Sequence, residues 1–307
     1  MSGLFILSLD TEIAWGTYGA AAIARQRRAF DNYRPLLRRL LDLLDTYQIP
    51  ATFAVVGHLF LKPEDRRARI GTNLPKDDPW YFAPDVIEAI RAAHTPHEIG
   101  THTFSHVFAD EVTPDEWDEE LRACVHIHEE HQLTLRSLVY PRNHIPYIET
   151  LPRYGIIAYR GAEQKWYRQP SGLLGRMVSY LDYLLALPPV TYDAATLREG
   201  ERLVNLPASQ FLMSYDGLRG WIPTACRVRQ AKLGIERAVS RNHLYHLWFH
   251  PFNLGSSPRM YDTLEQILRE VARRRDAGQL RAMTMQQAAE WILAEMPEST
   301  THAVKTR

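Results

Sequence analysis

The stretch HEIGTHTFSH, residues 97–106, carries three histidines where an apolar run passes into a turn. Imidazole is the commonest side-chain ligand for borderline divalent metals, and residues four apart face the same way when the chain coils through a helical turn. His102 and His106 are therefore a candidate metal-binding pair. Imidazoles also sit in loops as ordinary hydrogen-bonding groups, so a pair needs a third ligand to carry weight. The run LSLDTE ends in Asp10, Thr11 and Glu12. Side chains two apart on an extended chain share a side, so Asp10 and Glu12 can supply the missing carboxylate with a second one beside it.

Two more apolar runs end in polar groups. LYHLWFHPF delivers His250, followed by Pro251, which cannot donate to a sheet ladder. SLVYPRN delivers Tyr140, Pro141, Arg142 and Asn143. In a parallel barrel the reacting groups gather at the carboxyl ends of the strands, which makes these residues the first to inspect. A rival cluster, Cys124, His128 and His131 in CVHIHEEH, reads instead as a mixed helical face, with Glu129 and Glu130 beside it.

The elements that must position these groups alternate along the chain. LFILSL, ATFAVVG, HEIGTH, SLVYP, IIAYRG, RLVNLPAS, LYHLWFHPF and LRAM are short and apolar, and segments of helical period lie between most of them. That alternation predicts βα units around a parallel sheet, closed into one α/β barrel of about seven strands. A helix from about Arg34 puts Leu36, Leu37, Leu40, Leu41 and Leu44 on one side, with Pro35 in its first turn. The barrel is expected to span residues 1–295, with a polar tail over 296–307. An apolar insertion around 164–200 interrupts the rhythm; its leucines, Leu173, Leu174, Leu181, Leu184 and Leu185 with Met177, suit a helix packed on the barrel or one that grips a lipid carrier.

With 307 residues, 45% of them hydrophobic, the chain can bury a large core. Its 36 basic and 36 acidic residues cancel, which leaves no net field to attract nucleic acid; a small neutral or anionic substrate fits better. Two cysteines without paired spacing do not make a disulfide framework. The opening MSGLFILSLD lacks a basic leader region, and its apolar run is broken by Ser8 and ended by Asp10, so it reads as a strand of a cytoplasmic protein without a transmembrane segment.

LSLDTE, HEIGTHTFSH, VYPRN and LWFHPF occur in an order that resembles the polysaccharide deacetylase family, the NodB-homology domains of carbohydrate esterase family four, over residues 4 to 293. The resemblance implies a distorted (β/α) barrel that removes an acyl group from a sugar with the help of one divalent metal. It implies Asp10 as base, His102 and His106 as metal ligands and His250 as acid. The first motif departs from the adjacent aspartates of many members, so Glu12 is assigned the third ligand position; the altered third motif leaves Arg142 to orient Asp10. Tyr140 and Asn143 are placed at the substrate, with a backbone N–H near Asn143 helping to hold the oxyanion. Two histidines and a carboxylate suit a catalytic zinc site with one open position, and also cobalt, nickel or manganese. The expected substrate is an N-acyl amino sugar, nucleotide-linked or lipid-linked; the alternatives are a saccharide-binding protein without catalysis and a hydrolase of a non-sugar amide or cyclic ureide.

Overall fold

A computed structural model describes residues 2–65, 79–164 and 172–296. The tail expected after Met296 and residues 165–171 of the expected insertion lie outside the described residues. The first half runs β1 (Gly3–Thr11), α1 (Ala20–Asp31), α2 (Tyr33–Tyr47), β2 (Thr52–Val55), α3 (Pro84–Arg91), β3 (Glu98–Thr101), α4 (Pro114–Glu130), β4 (Ser137–Leu138) and β5 (Ala158–Tyr159). The second half runs α5 (Gly172–Leu184), β6 (Tyr192–Asp193), β7 (Arg198–Glu199), β8 (Leu203–Asn205), β9 (Gln210–Phe211), α6 (Thr224–Arg241), β10 (His243–Phe249), α7 (Arg259–Asp276), β11 (Leu280–Met283) and α8 (Met285–Glu295).

The helices form where periodicity and caps agree. α2 buries Tyr33, Leu37, Leu40, Leu41 and Leu44 on one face and ends at Gln48 in the left-handed region. α4 starts with Pro114 after a reciprocal cap between Thr113 and Glu116, and α8 starts with the same device between Thr284 and Gln287.

The strands pair in the order β6-β10-β1-β2-β3-β4-β5-β8-β7, with β11 on β1 and β9 on β10. β8 and β9 belong to one stretch of chain: Leu203–Asn205 pairs with β5 and Gln210–Phe211 with β10, so the pairing returns to its start. The result is the expected distorted (β/α) barrel, whose parallel staves are β1 to β5, the 203–211 stretch and β10. Among the described residues the sheet has eleven strands rather than about seven: one stave is broken into β8 and β9, β11 pairs with β1 outside the ring, and β6 and β7 are two-residue antiparallel additions too short to leave a period in the sequence. Distortion shows in β1, which pairs with β2 through Ser8–Thr11 but with β11 through Gly3–Ile6.

Alternation along β1 decides what reaches the barrel interior. Phe5, Leu7 and Leu9 pack into the larger core with α2, α6 and α7, whereas Leu4 and Ile6 join a second core with Met285, Ala288 and Ile292 of α8. Ser8 and Asp10 continue that second face toward the carboxyl ends of the strands. The interior therefore turns from apolar at the base to charged at the mouth.

Candidate active site

Glu12, immediately after β1, lies with Oε2 2.9 Å from His106 Nε2 and 3.3 Å from His102 Nε2. The ligand atoms of these three buried side chains lie within 4.8 Å of one another, and no second such group of His, Cys, Asp or Glu exists among the described residues. His102 Nδ1 donates to the Val139 carbonyl at 2.8 Å, which leaves Nε2 facing Glu12. His106 Nδ1 sits 2.9 Å from the Tyr18 hydroxyl. Partners of this kind fix ring orientation and tautomer in metal sites, so the donor set fits a divalent cation.

The loops are shaped around this cluster. A Cβ at Gly16 would run into the Glu12 carboxylate, so the turn after β1 closes over Glu12 only with glycine there. Thr103 and His106 have φ of 63° and 57°, and their loop is pinned by Glu120 of α4. Glu120 accepts from the Phe104 and Ser105 N–H groups at 2.9 and 3.0 Å and from the Ser105 hydroxyl.

Asp10 forms the second half of the site. Arg160, one residue past β5, donates to both its oxygens at 2.6 and 2.9 Å, a bidentate clamp. The guanidinium lies 4.1 Å over the Trp248 ring and also donates to Ser8 Oγ at 3.1 Å and Asn143 Oδ1 at 3.3 Å. His246 Nδ1 donates to the Leu206 carbonyl, so its Nε2 accepts the Ser8 hydroxyl at 2.8 Å. A hydrogen-bond chain of fixed polarity thus runs from Leu206 through His246 and Ser8 to Arg160 and Asp10. It requires a neutral His246, and burial depresses that imidazole to about 3.

His250 Nε2 stands 3.4 Å from Glu12 Oε1 and 3.9 Å from Asp10 Oδ2. Its side chain is 22% exposed, whereas those of Asp10 and Glu12 are 4% and 5% exposed, so an incoming molecule meets His250 first. Burial raises the Asp10 carboxyl, but Arg160 with His102 and His250 outweighs it and the net shift is downward. Glu12 is likewise raised by burial and taken well below the usual carboxylate range by His250, His102 and His106. For His102 burial opposes the charged form, yet Glu12 and Asp10 carry its pKa upward. His106 goes the other way, lowered chiefly by burial.

Asp10, Glu12, His102, His106 and His250 are thus brought together from three separate stretches of chain. Three expectations need correction. Arg142 does not reach Asp10: its guanidinium stacks 3.9 Å over Phe108, and Arg160 holds the carboxylate. Arg160 was legible by the rule that found the others, being the first polar residue after the run IIAY. Tyr140 is buried rather than at the rim, stacked 5.5 Å from Trp117 with its hydroxyl donating to the Pro146 carbonyl. The Asn143 N–H is spent on the Tyr140 carbonyl, so it is not an oxyanion donor; only the Asn143 side chain touches the site, through Arg160. The rival cluster is structural: buried Cys124 accepts from Thr101, and buried His128 bonds back to the Cys124 carbonyl.

Residues 29–145 match the polysaccharide deacetylase family profile, a span that contains His102 and His106. No curated protein sequence matches this chain. Among solved structures, a putative polysaccharide deacetylase from Mycobacterium smegmatis superposes with a TM-score of 0.64 at 17% identity, covering 99% of this chain and 94% of its own. A probable polysaccharide deacetylase from Pseudomonas aeruginosa PAO1 gives 0.64 at 12% identity, over 96% and 92%. Puue allantoinase gives 0.62 at 12% identity, over 96% and 92%. At these identities the likeness establishes the fold alone.

Proposed function

We propose that the chain is a metal-dependent N-deacylase of an amino sugar. The observation that carries this reading is the buried Glu12, His102 and His106 triad with an arginine-clamped aspartate on one side and a half-buried histidine on the other. Glu12, His102 and His106 would hold the cation, zinc first, with cobalt, nickel or manganese suited to the same donors. Such an ion supplies Lewis-acid polarisation of the acyl oxygen and a lowered pKa for water.

The remaining work falls to the chain's own groups. Asp10 takes the proton of the attacking water, and Arg160 keeps Asp10 ionised and aimed by binding both its oxygens. His250, on the open side, gives a proton to the departing nitrogen. An amine is a poor leaving group until protonated, whereas an alkoxide is less demanding, so a positioned acid favours an amide over an ester. Binding a saccharide without hydrolysis would need neither base nor acid, and the position of Asp10 and His250 on either side of the triad supports hydrolysis instead. The substrate is an N-acetyl amino sugar carried on a nucleotide or a lipid.

Metal content and acetate release test the proposal together. Parent protein should bind about one zinc per chain, and His102→Ala, His106→Ala and Glu12→Ala should each lose it. Zinc-loaded parent should free acetate from N-acetylglucosamine derivatives. Parent protein that binds no metal, or variants that bind as much as the parent, would sink the proposal.

A further inference from the structure

Among the described residues, every exposed large apolar side chain except Tyr18 comes from two segments, α5 with the residue after it and the turn 217–221. Leu174, Met177, Leu181 and Leu185 follow one another at helical spacing along the outer face of α5. Leu218 and Trp221 are 77% and 75% exposed on the turn. The segments adjoin: Tyr183 of α5 and Ile222, just past the turn, share a small core with Met213. The turn is not loose. Arg227, buried in α6, donates to the Met213, Ser214 and Arg219 carbonyls and holds the turn outward. Folding therefore presents apolar groups to the outside when the chain has a large core available for them.

We infer that this face docks on a phospholipid bilayer surface with anionic headgroups. Charge decides the occupant. Arg259 donates to the Gly220 carbonyl beside Trp221, and Arg219 is exposed within the turn; Asp216 is the acid beside them. Arginines beside the exposed Leu218 and Trp221 match the headgroup layer, where the aromatic ring settles at the interface and guanidinium groups meet phosphates. A second copy of the chain would bring the same arginines face to face. α5, with 13 residues, is about 20 Å long against the ~30 Å of a hydrocarbon core, and no described helix is long and apolar enough to cross, so the face lies in the interface.

The docked face borders the mouth. Tyr183 donates to the Phe211 carbonyl, and the Phe211 ring lies 4.6 Å from Trp248 and 5.9 Å from His250. On the proposed reading of His250, docking would set the mouth beside the headgroups, where a lipid-linked sugar would stand.

Vesicle flotation tests the docking without using activity. Parent protein should float with vesicles of phosphatidylglycerol and phosphatidylcholine, less with phosphatidylcholine alone, and less as salt rises. The pair Leu181→Ser and Leu185→Ser, and separately Trp221→Ser, should each weaken flotation roughly tenfold or more while leaving thermal unfolding unchanged. His102→Ala should float like the parent, which separates failure of docking from failure of the metal-site reading. Parent protein that does not float, or variants that float equally well, would overturn the inference. So would a dimer, seen by light scattering, that dissociates in the same variants.

Discussion

At the base of the barrel Glu98, the first residue of β3, is buried among neutral donors, accepting from the Thr52 hydroxyl at 2.8 Å and the Gln286 N–H at 2.9 Å. At the mouth Glu12 is buried to a similar degree among three imidazoles. Burial drives both carboxyls upward, and neutral hydrogen bonds do not overcome it for Glu98, whereas the histidines reverse it for Glu12. A buried carboxyl can thus be a structural tie at one end of a barrel and an anion at the other, and the partners decide which. Backbone conformation repeats the contrast. Left-handed residues at the base include Gln48 and Asn242 ending helices, Gln132 after α4 and Gly278 after α7. At the mouth they include Ile13, Thr103 and Arg142, side chains that adopt this region at a cost.

The sharpest way to break this comparison is to neutralise each glutamate in turn. Glu12→Gln should lower acetate release by roughly a thousandfold or more, since it removes a proposed ligand. Glu98→Gln keeps an acceptor oxygen for the Thr52 and Gln286 donors and should leave turnover within about threefold of the parent. Equal losses in an acetate-release assay would end the distinction between the two ends.

Arg160→Ala should come next, because it strands Asp10 as a buried charge; urea unfolding should show a loss of about 3–5 kcal/mol. Arg142→Ala removes an exposed guanidinium from an aromatic ring and should cost less than about 1 kcal/mol. A reversed order would return the clamp to Arg142.

Buried histidines outside the Glu12 cluster should make the protein acid-labile. Burial lowers His246 to about 3 and both His97 and His128 to about 4, from 6.5. Unfolded imidazoles take up protons below 6.5 while the folded ones stay neutral, so stability falls as pH drops through that window down to the folded values. Each group contributes at most about 1.4 kcal/mol per pH unit, and the three together should cost up to about 3 kcal/mol between pH 6.5 and 5.5. Urea midpoints across that range measure it, and His128→Phe should flatten the slope.

Ser8→Ala interrupts the chain between His246 and Arg160; about 1–2 kcal/mol of stability and several-fold in kcat should go, with KM nearly unchanged. The smallest effect belongs to Thr103→Gly. Relief at φ 63° and added chain freedom oppose each other, leaving thermal stability within about 1 kcal/mol while zinc affinity falls.

The sequence by itself determined the barrel and most of the charged mouth. Apolar runs alternating with helical segments specify βα units, and polar residues directly after those runs must emerge at one rim, which placed Asp10, Glu12, His102, His106 and His250. Only the tertiary structure chose which cation meets Asp10. Arg142 follows the strand that suggested it, but left-handed backbone at Arg142 and Asn143 sends that guanidinium over Phe108, and the neighbouring stave delivers Arg160. It also made Tyr140 core and turned Ser8 and His246 into supports, since each depends on which residue lies across the interior. Periodicity assigns a side chain to a face; the curvature and register of the closed sheet decide what that face meets.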